Sequence, residues 1–155
     1  MGTRGTITFI FKNKSVKTYN HWDSYPSGLG QNLISEINHL LNKLTIDDII
    51  QKLDSLKIIN KEIDPTSEDI KNLDKYTSLN VSSQSTMDWY CLVRKNQGSL
   101  INIMDSGYIL PHDSDEEYNY VIDFNNKLFY LKEFDTKFEI NNIPVDWINI
   151  IGHNE

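Results

Sequence analysis

Two stretches of alternating apolar and polar residues, one near each end of the chain, constrain its fold most. Over residues 6–12, Ile7, Phe9 and Phe11 fall on one face and Thr6, Thr8 and Ile10 on the other. Asn13-Lys14 reads as a short turn, and residues 15–20 return with Val16, Lys17, Thr18 and Tyr19. Residues 118–124 alternate again. Asn125-Asn126 supplies a turn able to accept positive φ, and 128–134 runs back as a second hairpin. A two-stranded ribbon is marginal by itself in water, so the economical solution joins both hairpins into one antiparallel sheet of about four strands.

The middle of the chain has helical spacing. Leu33, Ile34, Ile37, Leu40, Leu41 and Leu44 recur at intervals of three and four. Thr45-Ile46-Asp47-Asp48 resembles a capping box and opens a second helix carrying Ile49, Ile50, Leu53 and Leu56. Pro65-Thr66-Ser67-Glu68-Asp69 starts a third helix, through Ile70 and Leu73, and the polar stretch 78–85 reads as a loop. Ser85-Thr86-Met87-Asp88 leads into Trp89, Tyr90, Leu92 and Val93. Gln97-Gly98 sets this off from Leu100, Ile101, Ile103 and Met104, with Gly107 as a C-terminal cap. Pro144 precedes a last short piece around Trp147 and Ile150. The expectation is a single α+β domain over 1–155, in two layers, with the middle helices covering the sheet.

Charge and composition set several functions aside. The formal net charge is −7, with only two arginines, Arg4 and Arg94, and lysines scattered without a basic stripe. Nucleic-acid binding draws most of its affinity from cations on phosphates, so no nucleic-acid partner is expected. The absence of alanine and the abundance of Ile, Asn and Lys suit an AT-rich genome. One cysteine, Cys91, cannot form an intramolecular disulfide or a CxxC zinc site. No run approaches the roughly 18 apolar residues of a membrane span, and no signal-peptide pattern is present, which points to a cytoplasmic protein without a membrane partner. Met1-Gly2-Thr3-Arg4-Gly5-Thr6 fits the myristoylation pattern at Gly2, but no polybasic patch accompanies it.

The richest chemistry lies in segment 21–30, His21-Trp22-Asp23-Ser24-Tyr25-Pro26-Ser27-Gly28-Leu29-Gly30, between the first hairpin and the first helix. An anion site there would use amides left bare by Gly28 and Gly30 at the positive end of the helix. Arg4 would be a bidentate partner, and His21, Asp23, Ser24 and Tyr25 would supply polar groups. The competing structural reading is a strand-to-helix connection capped by Ser27 and stiffened by Pro26. Catalysis by His21 with Asp23 or Ser24 is geometrically awkward, because Ser24 points away from the other two in an extended segment. A Cys91–His21 pair is conceivable, yet a cysteine among aromatic neighbours reads as core. His21 with Asp23, or His112-Asp113-Ser114-Asp115-Glu116-Glu117, could offer metal ligands, but neither has a metal-site spacing, so no metal and no cofactor are expected. Trp89 and Tyr90 anchor a core or form an aromatic wall for a base or sugar.

The pieces Met1-Gly2-Thr3-Arg4-Gly5, Tyr19-Asn20 with segment 21–30, Asp88-Trp89-Tyr90-Cys91-Leu92, Gln97-Gly98 and Tyr120-Val121-Ile122-Asp123 span most of the chain. Together they resemble a family of small uncharacterised proteins from bacteriophages, large DNA viruses and microbial genomes. The resemblance implies a viral setting, hence the host cytoplasm, and brings no activity. From the residues, the leading expectation is a small anionic ligand, nucleotide-like or phosphorylated, on Arg4, His21, Asp23, Ser24, Tyr25, Gly28, Gly30 and Trp89. The alternative is a protein-interaction module without chemistry. A third is a small hydrolase or transferase using His21 and Asp23. On charge alone, fluorescence anisotropy with duplex DNA or RNA at physiological salt should show no binding; salt-dependent micromolar affinity would contradict this reading.

Overall fold

The computed structural model describes residues 3–153, so the myristoylation pattern at Gly2 lies outside the described residues. In chain order the elements are β1 (Gly5–Phe11), β2 (Lys14–Asn20), α1 (Gln31–Leu41), α2 (Ile46–Asp54), β3 (Lys57–Ile58) and α3 (Ser67–Asn72). They continue with α4 (Trp89–Leu92), α5 (Leu100–Ser106), β4 (Tyr108–Ile109), β5 (Tyr118–Asp123), β6 (Leu128–Leu131), β7 (Phe138–Glu139) and α6 (Trp147–Ile150). The architecture is α+β, and both hairpins belong to one sheet of order β2-β1-β5-β6-β7.

That sheet is mixed and five-stranded, which corrects the expected antiparallel four. β1 pairs β5 in parallel, Ile7 opposite Tyr120 and Phe9 opposite Ile122. The cause is the long middle of the chain: the helices carry it back to the end where β1 began, and a parallel pair needs such a crossover. The fifth strand, β7, is two residues long and too short to show an alternation. The first turn falls at Lys12-Asn13, one residue early, and positive φ in the second hairpin falls on Lys127 instead of the asparagines. Asp123 explains the latter, because its carboxylate accepts from the backbone N–H and the Nδ2 of Asn126 and holds the loop around that residue.

Ile7, Phe9, Phe11, Tyr120, Ile122 and Phe129 face the helices, which bury Leu33, Ile37, Leu53, Leu100 and Trp147 against them. The opposite sheet face carries Thr6, Thr8, Asn119, Val121 and Asp123, all buried. Residues 112–117, the acidic run weighed from sequence for metal ligands, strap this face. Asp115 bridges Lys17 and Lys132, and Asn119 Oδ1 accepts from the Thr6 hydroxyl and the Glu116 N–H. The outer edge of β2 is closed by residues 110–112: Thr18 bridges Pro111, and the His112 N–H donates to the Lys17 carbonyl at 2.7 Å. The cover interrupts the edge at Lys17 and Thr18, which shortens the ladder open to another chain.

The rest of the middle builds a second buried cluster of Ile59, Leu73, Trp89, Leu92, Val93 and Tyr108 around the parallel pair β3–β4. Asp69 locks it, completing the Thr66 capping box while accepting from the Tyr108 hydroxyl at 2.7 Å and from Lys57. The α2 capping box forms as the sequence predicts, with Thr45 and Asp48, and Gly107 is the left-handed cap after α5. Ser99 caps the start of α5, its Oγ accepting from the Asn102 N–H, and a partner that no local pattern announces adds to it. There Glu36 of α1 accepts from the Ser99 hydroxyl and the Leu100 N–H, clamping one helix to the other.

Gly30 shows how tightly the layers meet. A Cβ there would stand 2.7 Å from the Trp147 ring and 3.0 Å from the Tyr120 ring. In an ordinary helix, glycine-to-alanine gains up to about 1 kcal/mol. Here Gly30→Ala should instead lose about 1–3 kcal/mol by overpacking, as measured by urea unfolding.

Candidate functional site

The segment joining β2 to α1 is built to be short and rigid. Asp23 takes positive φ (51°), turning the chain sharply, and Pro26–Gly30 forms one wide helical turn of the π type that runs directly into α1. Its amides serve its own carbonyls: Gly28 N–H donates to Tyr25, Leu29 N–H to Asp23, and Gln31 N–H to Pro26 and Gly28. The turn has no side-chain cap, so Ser27 does not play the capping role its position suggests. A Cβ on Gly28 would meet the Asp23 carbonyl at 2.3 Å, so this glycine is required by the turn's own backbone.

Ser24 is fully buried at the centre of a knot. Its N–H donates to the Thr3 carbonyl, its carbonyl accepts from the Tyr120 hydroxyl at 2.7 Å, and its Oγ accepts from Asn20 Nδ2 at 2.9 Å. Asn20 Nδ2 also donates to the Trp22 carbonyl, and the His21 N–H donates to Gln97 Oε1. A Cβ on Gly5 would strike Ser24, and one on Gly98 (φ +76°) would strike Asn20. Tyr25 stands half-buried with its ring against Gly28. The dispersed sequence pieces Gly5, Asn20, Ser24, Gln97-Gly98 and Tyr120 therefore meet at one place. Sequence reasoning has Ser24, Gly28 and Gly30 facing a ligand, whereas the structure turns them into this packing. Buried donors and acceptors so fully paired fix one conformation.

Other candidate groups point outward. Arg4, Trp22 and Asp23 are exposed, and His21 is half-buried with Nδ1 hydrogen-bonded to the Tyr19 hydroxyl at 2.8 Å. No hydrogen bond joins His21 to Asp23 or Ser24 among the described residues, so the His21/Asp23 pair is not assembled for proton transfer. Burial holds the His21 imidazole below its ordinary pKa, and Arg4 and Arg94 push it the same way. The Tyr19 phenol is raised by burial, with Arg4 and Arg94 acting against the rise. The charges of both arginines thus act on the Tyr19–His21 pair, and that of Glu116 acts on Tyr19 in the opposite sense.

Tyr19 is also a wall of a cavity of about 350 Å³ at the seam between β2 and the second cluster. Tyr19 stacks on His112 with centroids 4.9 Å apart, and Trp89, Tyr90 and Tyr108 line it too. Trp89 from the sequence-based set is here, its indole N–H already donated to the Ile63 carbonyl. Asn96, only 4% exposed, lines the same cavity, and its Oδ1 has no hydrogen-bond partner. Sequence reasoning missed Tyr19, Arg94 and Asn96 as site residues and weighed His112 only as a metal ligand. The one usable signal was scarcity, since Arg94 is half of the arginine content.

Among the described residues no group of three or more His, Cys, Asp or Glu is placed to hold a metal ion. Cys91 is buried, with its thiol donating to the Val81 carbonyl, which makes it a core residue. No described helix is long and apolar enough to cross a membrane. No family model matches this chain, and no curated protein or solved structure matches it either.

The two kinds of residue in the segment separate under mutation. Asn20→Ala should cost about 1–3 kcal/mol in chemical unfolding, because it strands the Ser24 hydroxyl and the Trp22 carbonyl. His21→Ala keeps the backbone contact to Gln97 and should cost under about 1 kcal/mol.

Proposed function

We propose that the protein binds a small anionic ligand beside His21, between Arg4 and Arg94. What supports this reading is that the charges of both arginines act on the His21 imidazole while neither arginine has a carboxylate partner among the described residues. The carboxylates nearest to cations are taken by lysines. Asp54 is pulled down to about 2 by Lys12 and Lys14, Asp115 sits between Lys17 and Lys132, and Asp69 holds Lys57. Arg94 Nε is buried and unpartnered, so this guanidinium keeps bonding capacity that no described group of the protein uses. On a chain of net charge −7 this is a local positive spot, which selects for a compact anion over a polyanion.

The His21 imidazole reports on occupancy. A neutral His21 is favoured in the free protein, so its stabilising effect is present above the unfolded pKa of about 6.5 and is lost as pH falls through it. An anion held by the arginines cancels their field and favours the imidazolium, so His21 should titrate at higher pH when phosphate is bound. An NMR titration of the His21 ring with and without inorganic phosphate, paired with thermal shift, tests this. Arg94→Gln should abolish both responses. An unmoved His21 titration at saturating phosphate would defeat the proposal.

A second reading, a protein-interaction surface, is favoured by Trp22. Its indole is half exposed beside the same spot, edge-on to His21 with centroids 4.7 Å apart. Trp22→Ala separates the two readings, since it removes the apolar anchor of a protein partner and leaves both arginines in place.

A further inference from the structure

We infer that the cavity behind Tyr19 takes a planar heteroaromatic ring, so that the anion is the phosphate of a nucleoside monophosphate. This rests on the anion reading above and adds to it the class of ligand. The cavity is lined by aromatic rings from three parts of the chain: Tyr19 and His112 with centroids 4.9 Å apart, Trp89 and Tyr108 with centroids 6.3 Å apart, and Tyr90. A lining so rich in rings favours a flat guest, because offset stacking and apolar burial act together.

The two halves of the site are joined. Gln97 lines the cavity and holds the His21 N–H, and the Tyr19 hydroxyl holds His21 Nδ1, so the cavity wall is hydrogen-bonded to the residue on which both arginines act. The volume, about 350 Å³, lies at the low end of the roughly 300–1,000 Å³ of small-molecule sites, which suits one base and its sugar and is too small for a dinucleotide.

The test compares inorganic phosphate with the adenosine, guanosine, cytidine and uridine monophosphates by calorimetry. Intermolecular NOEs from base protons provide a second, mutation-free readout. At least one monophosphate should bind about tenfold or more tighter than phosphate, with NOEs to the rings of Tyr90 and His112. Tyr90→Ala, at a half-buried position, should remove that advantage while leaving the phosphate response of His21. If phosphate binds and no monophosphate binds tighter or shows ring NOEs, the ring inference is overturned and the anion reading stands. If neither phosphate nor any monophosphate binds, both fall.

Discussion

The parallel ladder between β1 and β5 is the constraint on which the remaining structure depends. It joins residues more than a hundred positions apart, and at its start Gly5 pairs with Tyr118 and Thr6 with Asn119. Closing so long a loop costs chain entropy that only burial of both strand faces can offset. One face is buried by the helices through Ile7, Phe9, Tyr120 and Ile122, the other by the strap over Thr6, Thr8, Asn119 and Val121. The ladder also brings Tyr120 beneath Ser24, and that contact closes the knot that sets the path from β2 to α1.

The knot and the cavity divide the chemistry of segment 21–30. Asn20, Ser24, Gly28 and Gly30 are consumed by shape, each with a contact that a substitution would strand or crowd. His21 and Trp22 are what the knot presents, their backbones held by Gln97 and Asn20. A ligand group docking beside His21 would meet a preorganised surface, so little of its binding energy would go into ordering the protein. The two arginines come from places far apart in sequence, one just before β1 and the other just after α4. Their approach to one imidazole is a product of the fold and not of local spacing.

What could be read from sequence follows from the range of each interaction. The hairpins, the Thr45 and Thr66 caps and Gly107 are determined by residues within a few positions of one another, and those expectations match the structure. The direction of β5 against β1 is decided by how the middle helices return the chain, which no local pattern encodes. The strands β3 and β4, two residues each, pair only because the second cluster brings Lys57 and Tyr108 together. In the candidate site, the glycines read as openings for a ligand because bare amides look alike in sequence whether they face a phosphate or the ring of Trp147. Residue 147 lies more than a hundred positions from Gly30, beyond any local window.

Residues 110–112 both close the edge of β2 and, through His112, form a wall of the cavity. Enlarging the cavity on that side therefore means peeling this segment away and baring the strand edge at Lys17 and Thr18. The price of admitting a bulkier guest is a sticky sheet edge, so the size limit of the cavity is tied to how well the chain keeps its copies apart.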